Sequence, residues 1–203
     1  MIVIVDYRMG NVASVANMLK KIGAEAILSS SVDDIERADK LILPGVGAFE
    51  TGMRNLRSTG LDSVLNRKVR ETDTPVLGIC LGMQLMTQRS EEGNVEGLGW
   101  VDARTVRFTR AEQSSLRIPH MGWNTVTGTN GCALLREMPE EPRFYFVHSY
   151  HVVCNDPADV AGVTSYGSNF TSIFHKGHFF GVQFHPEKSH KFGMKILQNF
   201  ARL

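Results

Sequence analysis

Cysteine is scarce, with three in 203 residues, and Cys80, Cys132 and Cys154 form an odd set at wide spacing. That excludes a disulfide framework and suits a reducing, cytoplasmic setting. Charge of one sign is missing too. A formal net charge of +1 gives no electrostatic case for nucleic acid or an anionic membrane surface as partner. No apolar run reaches the roughly 18 residues of a membrane span. The opening Met1–Asp6 stretch lacks a basic n-region and a small-residue cleavage site, so it reads as a buried first strand rather than a leader. None of the seven histidines falls into an H-E-x-x-H or a Cys/His ligand pattern, so neither a metal nor another cofactor is expected. Repeats, low-complexity tracts and linkers are absent, and 42% hydrophobic residues can supply the core of one domain spanning 1–203.

The first half alternates short apolar runs with helical patterns. Strands are expected at 2–5, 24–28, 40–43 and 75–79, and helices at 11–22, 49–56 and 61–70. Such alternation implies an α/β fold with a mostly parallel central sheet flanked by helices. The second half adds an antiparallel strand region, with strand-like pieces at 100–108, 143–147, 150–153, 172–175 and 178–184. A hairpin is expected at Lys176-Gly177 and a closing helix at 189–200.

In Gly78-Ile79-Cys80-Leu81-Gly82 a strand runs into a helix with cysteine at the bend and glycine two residues to either side. This is the nucleophile-elbow pattern, in which glycines relieve crowding and the side chain is thrust out at the strand's carboxyl end. Free N–H groups at a helix start also stabilise negative charge on sulfur. A buried core cysteine before a glycine-punctuated turn gives the same local pattern. Downstream, His185-Pro186-Glu187 follows the last strand. Residues two apart in extended chain share a side, so Glu187 can orient His185 and leave its other nitrogen to take the thiol proton. His148 and His151, three apart in a strand region, are expected on opposite faces. The Pro44-Gly45-Val46-Gly47 loop can offer backbone N–H groups to an oxyanion together with Leu81. A simple tight turn explains that loop equally well, and no G-K-[ST] follows to make it a phosphate cradle.

Together these blocks, with Pro119-His-Met-Gly-Trp123-Asn124 and Phe146-Val-His148-Ser149-Tyr150, resemble the triad (class I) glutamine amidotransferases over essentially the whole chain. Within that family the closest likeness is to glutaminase subunits that serve a (β/α)8-barrel cyclase in histidine biosynthesis. The resemblance implies that Cys80 forms a glutamyl thioester, His185 shuttles protons and Glu187 orients it. It implies an oxyanion hole at Gly47 and Leu81, and glutamine binding by Gly45, Gln84, Glu92, Ser149 and Tyr150. Asn11, Trp123, Asn124, Tyr145 and Lys188 would face the cyclase in a heterodimer, into which ammonia passes. One departure stands out. The family shows Asp-Tyr-Gly-x-Gly-Asn after its first strand, whereas here Arg8 takes the first glycine position. That is compatible with surface variation, or with a paralogue feeding a barrel with another acceptor, such as a surface-polysaccharide sugar. A self-sufficient cysteine hydrolase and a non-catalytic regulatory subunit are the remaining alternatives. The first needs no exposed Trp123, and the intact Cys80, His185 and Glu187 set argues against the second.

Overall fold

The computed structural model describes residues 1–109, 117–129 and 131–203. Its first half alternates strands and helices as read, with one helix added. Strands β1 (Ile2–Val5), β2 (Ala26–Ser29), β3 (Lys40–Gly45) and β4 (Val76–Cys80) alternate with helices α1 (Val12–Lys21), α2 (Val32–Arg37), α3 (Phe49–Ser58) and α4 (Leu61–Glu71). After α5 (Leu81–Leu85) the chain turns to β-structure: β5 (Arg89–Ser90), β6 (Val95–Glu96), β7 (Ala103–Arg107), β8 (His120–Thr125), β9 (Thr127–Gly128) and β10 (Arg143–His148). Strands β11 (Tyr150–Cys154), β12 (Val160–Tyr166), β13 (Ser168–Lys176) and β14 (Phe179–Val182) precede the closing helix α6 (His190–Ala201).

One large sheet runs in the order β2-β1-β3-β4-β14-β13-β11-β7-β5-β6. Its first five strands are parallel, and β13, β11 and β7 extend it antiparallel. The hairpin at Lys176-Gly177 joins β13 to β14, with Lys176 opposite Phe179 and Gly177 at φ +59°. Strands β8 and β10 stand apart as a two-stranded antiparallel ribbon. Neither α2 nor β12 was expected. Six residues carry only one buried anchor in α2, Ile35, and Gly162 interrupts the apolar run of β12.

Burial follows the alternation of the strands. In β1, Val3 and Val5 face the core under α2, α3 and α4, while Ile2 and Ile4 face the core under α1 and α6. Helix α4 seats Leu61, Val64, Leu65 and Val69, an i, i+3, i+4, i+8 stripe on one side. Each large side chain buried this way contributes roughly 1.5–3 kcal/mol. Among the described residues no helix is long and apolar enough to cross a membrane. All three cysteines are free.

Helix α6 lies hard against the segment that carries the candidate base. A Cβ on Gly193 would sit 1.8 Å from the Pro186 carbonyl oxygen. Helix propensity alone would credit Gly193→Ala with about 1 kcal/mol of stabilisation. The clash reverses the sign, and we expect a net loss of about 2 kcal/mol, read as a lower urea midpoint at unchanged slope.

Candidate active site

The register of three parallel strands assembles the site at their carboxyl ends. Gly45 of β3 lies opposite Cys80 of β4, and Val182 of β14 lies opposite Ile79. Cys80 adopts φ +52° and ψ −107°, a strained backbone for a residue with a Cβ. The flanking glycines explain how so sharp a turn fits. A Cβ on Gly82 would lie 1.7 Å from the Leu43 carbonyl oxygen, and one on Gly78 would lie 2.7 Å from the Met83 backbone nitrogen. The elbow reading therefore holds in its geometry. Leu81 opens α5, so its N–H has no partner within the helix.

His185 and Glu187 meet, though not in extended chain. His185 keeps an extended backbone at φ −101°, but Pro186–Lys188 forms a 3-10 turn. Proline suits the first position of a helical turn, so it restrains the residue before it while starting a turn after it. His185 Nδ1 lies 2.8 Å from Glu187 Oε1, with both side chains almost wholly buried. The carboxylate accepts, so the proton sits on Nδ1, and Nε2 is left buried without a formed hydrogen bond. Burial by itself lowers the pKa of this imidazole. Contact with Cys80 and with Glu187 outweighs burial and pushes it up to about 10. Ser189 ties the His185 backbone to β10: its Oγ accepts from the Tyr145 N–H at 3.0 Å and donates to the His185 carbonyl at 2.6 Å.

A cleft of about 320 Å³ opens beside Cys80. It brings together Gly47, Leu81, Gln84, Glu92, Ser149 and Tyr150, six residues singled out in the sequence. Gln84 Nε2 donates to the Tyr150 carbonyl and to Gln183 Oε1, each at 3.0 Å. Glu92 Oε2 accepts from the Phe49 N–H at 2.8 Å and so caps α3, the helix that follows the Pro44–Gly47 loop. Gly47 stands at φ +110°, a conformation that glycine adopts without steric cost. A larger hollow of about 480 Å³ around Cys132, Leu135 and Met138 has no histidine among its described lining residues.

Gly45 sits at the end of β3, pressed by two neighbours. A Cβ there would lie 2.4 Å from the Tyr7 hydroxyl, while a Cβ on Gly10 would lie 3.1 Å from the Gly45 nitrogen. Tyr7 is buried, its hydroxyl has no partner, and burial and then Cys80 push its pKa upward. Nothing in the sequence pattern singled out this tyrosine. Arg8, next to it, is exposed and takes φ +64°, the conformation for which a glycine would be the unstrained choice.

The residues expected to face a partner fall into one aromatic surface and two outliers. Trp123 is 48% exposed and stacks on His190 at 5.5 Å and 3°, with Tyr145 edge-on at 6.2 Å. Lys188 Nζ lies 5.6 Å from the centre of the Tyr145 ring. Met121 adds a further 62%-exposed side chain on β8. Asn11 caps α1 through its backbone, its carbonyl accepting from the Val15 N–H at 3.3 Å. Asn124 turns inward and donates to the Ser165 carbonyl at 3.0 Å.

His148 and His151 require a correction. They do not occupy opposite faces, since both rings pack on Phe108 and Phe170. Strand alternation fails because β10 ends at His148 and β11 begins at Tyr150 in a different sheet. The chain corners at Ser149 between them. His148 also lines the cleft, a placement missed in the sequence although the H-S-Y block was noted. Gln183 was missed as well, and its Nε2 donates to Cys80 Sγ at 3.6 Å.

Comparison with known proteins bears on the whole chain. A family model described as glutamine amidotransferase class-I matches residues 3–203. The chain is 52% identical over 202 residues to an imidazole glycerol phosphate synthase subunit HisH 2 of Methanococcus maripaludis, covering 100% of this chain and 99% of that one. It is also 52% identical over 203 residues to the subunit of the same name in Pseudomonas aeruginosa, with both chains covered in full. Among solved structures, PurLQS from Thermotoga maritima superposes with a TM-score of 0.75 at 17% identity, over 99% of this chain and 97% of that one, a likeness of fold.

The raised pKa of His185 has a measurable consequence for stability. Its folded value of about 10 lies above the ordinary 6.5, so the imidazolium stabilises the fold fully below pH 6.5. That contribution fades as pH rises through 10. The urea-midpoint gap between the wild type and His185→Gln should therefore be widest at pH 6 and shrink steadily towards pH 10.

Proposed function

The chain belongs to the class-I glutamine amidotransferases, and we propose that it is the glutaminase subunit of an imidazole glycerol phosphate synthase, acting as one domain in the cytoplasm. The observation that carries this reading is the buried 2.8 Å His185–Glu187 pair beside the strained Cys80 elbow. Full-length relatives at 52% identity carry that subunit's name.

The chemistry follows from the charges. An imidazolium at His185 lets Cys80 act as a thiolate, which attacks the side-chain amide carbon of glutamine. Negative charge moves to the amide oxygen, where the Gly47 and Leu81 N–H groups receive it. The C–N bond then breaks as the His185 proton passes to nitrogen, and ammonia leaves a glutamyl thioester. Glu187 holds the ring in register throughout. Water attacks the thioester carbon while giving a proton to His185, and glutamate departs as the thiolate is restored. Gly45, Gln84, Glu92 and the Ser149–Tyr150 backbone hold the amino-acid end of glutamine in the cleft.

Ammonia is useful only if it reaches an acceptor. Trp123, Tyr145 and Lys188 form the face on which a (β/α)8-barrel cyclase docks to make a heterodimer, and Asn11 and Asn124 lie outside that aromatic patch. Exposed aromatics of this kind dominate interface energies. A second reading, a paralogue feeding a barrel with another acceptor, draws support from Arg8. A residue at φ +64° costs about 1–2 kcal/mol relative to glycine, and an exposed side chain held at that cost suits a partner contact.

Cys80→Ala in the complex should abolish synthesis from glutamine, by at least about 10³-fold, while sparing synthesis from free ammonia. Loss of both activities with the complex intact would place the chemistry on the wrong chain. Expression in a bacterium lacking its own histidine-pathway glutaminase subunit separates the two readings. Growth without histidine supports the first, and failure to grow alongside a working cognate barrel supports the paralogue.

A further inference from the structure

A line of hydrogen bonds runs from the docking strand β8 to the nucleophile, and with both imidazoles neutral each has a single possible direction. The Tyr150 carbonyl can only accept. His148 Nδ1, 2.7 Å away, must therefore carry a proton, which leaves His148 Nε2 as an acceptor. His120 Nδ1 stands 3.0 Å from that Nε2 and must be its donor. His120 Nε2 then accepts from Asn124 Nδ2 at 3.3 Å. On the other side of the carbonyl, Gln84 Nε2 donates at 3.0 Å and also reaches Gln183 Oε1, whose amide donates to Cys80 Sγ. His120, His148, Gln84 and Gln183 are all buried.

We propose that His120 and His148, both as the Nδ1–H tautomer, are positioning residues that fix the Tyr150 carbonyl, and with it the Ser149–Tyr150 wall of the cleft, against the docking strand. This rests on reading the cleft as a glutamine site. Its physical basis is the corner at Ser149, where the chain leaves the β8–β10 ribbon for the large sheet. Nothing in either ladder spans that corner. The His148 ring does, bonding two residues ahead of itself, and His120 from the paired strand orients the ring, since His148 and His120 are register partners. With donors from His148 and Gln84, the carbonyl fills both lone pairs and cannot turn into the cleft.

The relay depends on neutral rings, because a second proton on either would set N–H against N–H. Burial keeps His120 down to about 4. Burial keeps His148 down to about 3, with His120, His151 and His185 adding to the effect and the Tyr150 carbonyl opposing it. Among the described residues, Tyr166 is the other titratable group against His120, stacked on it at 4.0 Å.

The test has two arms. In the full chain with 15N-labelled histidine, imidazole spectra assigned by His120→Phe and His148→Asn should show both rings as neutral Nδ1–H tautomers at pH 7. An Nε2–H tautomer or a charged ring at either position would overturn the proposal. In the complex with its barrel partner, glutamate release should show an about tenfold higher glutamine KM for His148→Leu, with kcat changed less. The amide of His148→Asn reaches the same carbonyl and should recover KM to within about threefold. Equal damage by the two variants would reduce His148 to packing. If His148→Leu does not fold, the spectra and His148→Asn still decide the question. Absence of glutamate release by the wild-type complex, with both tautomers as expected, would bring down the glutaminase reading and the cleft's role with it, a separate failure.

Discussion

At Cys80 the backbone leaves β4 with φ +52°, in a region that costs a residue with a Cβ about 1–2 kcal/mol, and the rest of the site depends on that turn being held. Three features hold it. Parallel pairing with β3 and β14 fixes where the strand ends. The fit of Gly82 over the Leu43 carbonyl lets α5 start without a step. The apolar packing of Leu81, Met83 and Leu85 anchors the helix below it. The strain is thus offset by burial elsewhere. The thiol is presented at the carboxyl end of β4, at the rim of the sheet.

Electrostatics then follow from geometry. A histidine and a glutamate buried together would be costly if either stood alone. Here the neighbouring thiol and the 2.8 Å bond to Glu187 outweigh burial and make the charged ring the favoured state. His148 and His120 are buried with no carboxylate bonded to them among the described residues, and burial keeps both neutral. One fold therefore sets a charged and an uncharged histidine population side by side. Glu187 and Cys80 beside His185 account for the difference.

What the sequence made legible was whatever repeats locally. The alternation of apolar runs with helical spacing gave the parallel strands, and glycines at 78 and 82 gave the elbow, because both signals lie within a dozen residues. What escaped was decided by contacts between distant segments. The side on which His151 falls depends on a change of sheet at Ser149, which no two-residue period can encode. The turn at Pro186–Lys188 depends on α6 closing over it through Gly193. Gln183 reads as an ordinary strand-end polar residue until Gln84, ninety-nine positions away, is seen to bond to it. The approach of His185 and Glu187 to Cys80 needed only that the strand ends come together, so it was readable. The amide and imidazole links around it needed the folded chain.

The loop after β1 places two adjacent demands on the chain, and they differ in kind. A Cβ on Gly10, at φ +93°, would lie 3.1 Å from the Gly45 nitrogen, so a side chain there would press on the segment facing Cys80 as well as strain its own backbone. Arg8, two residues earlier, points its burden at solvent and pays only in backbone conformation. For a lineage in which a duplicated copy acquires a new partner, position 8 is open to substitution and position 10 is closed. Drift in recognition can accumulate in this loop without passing through an inactive intermediate.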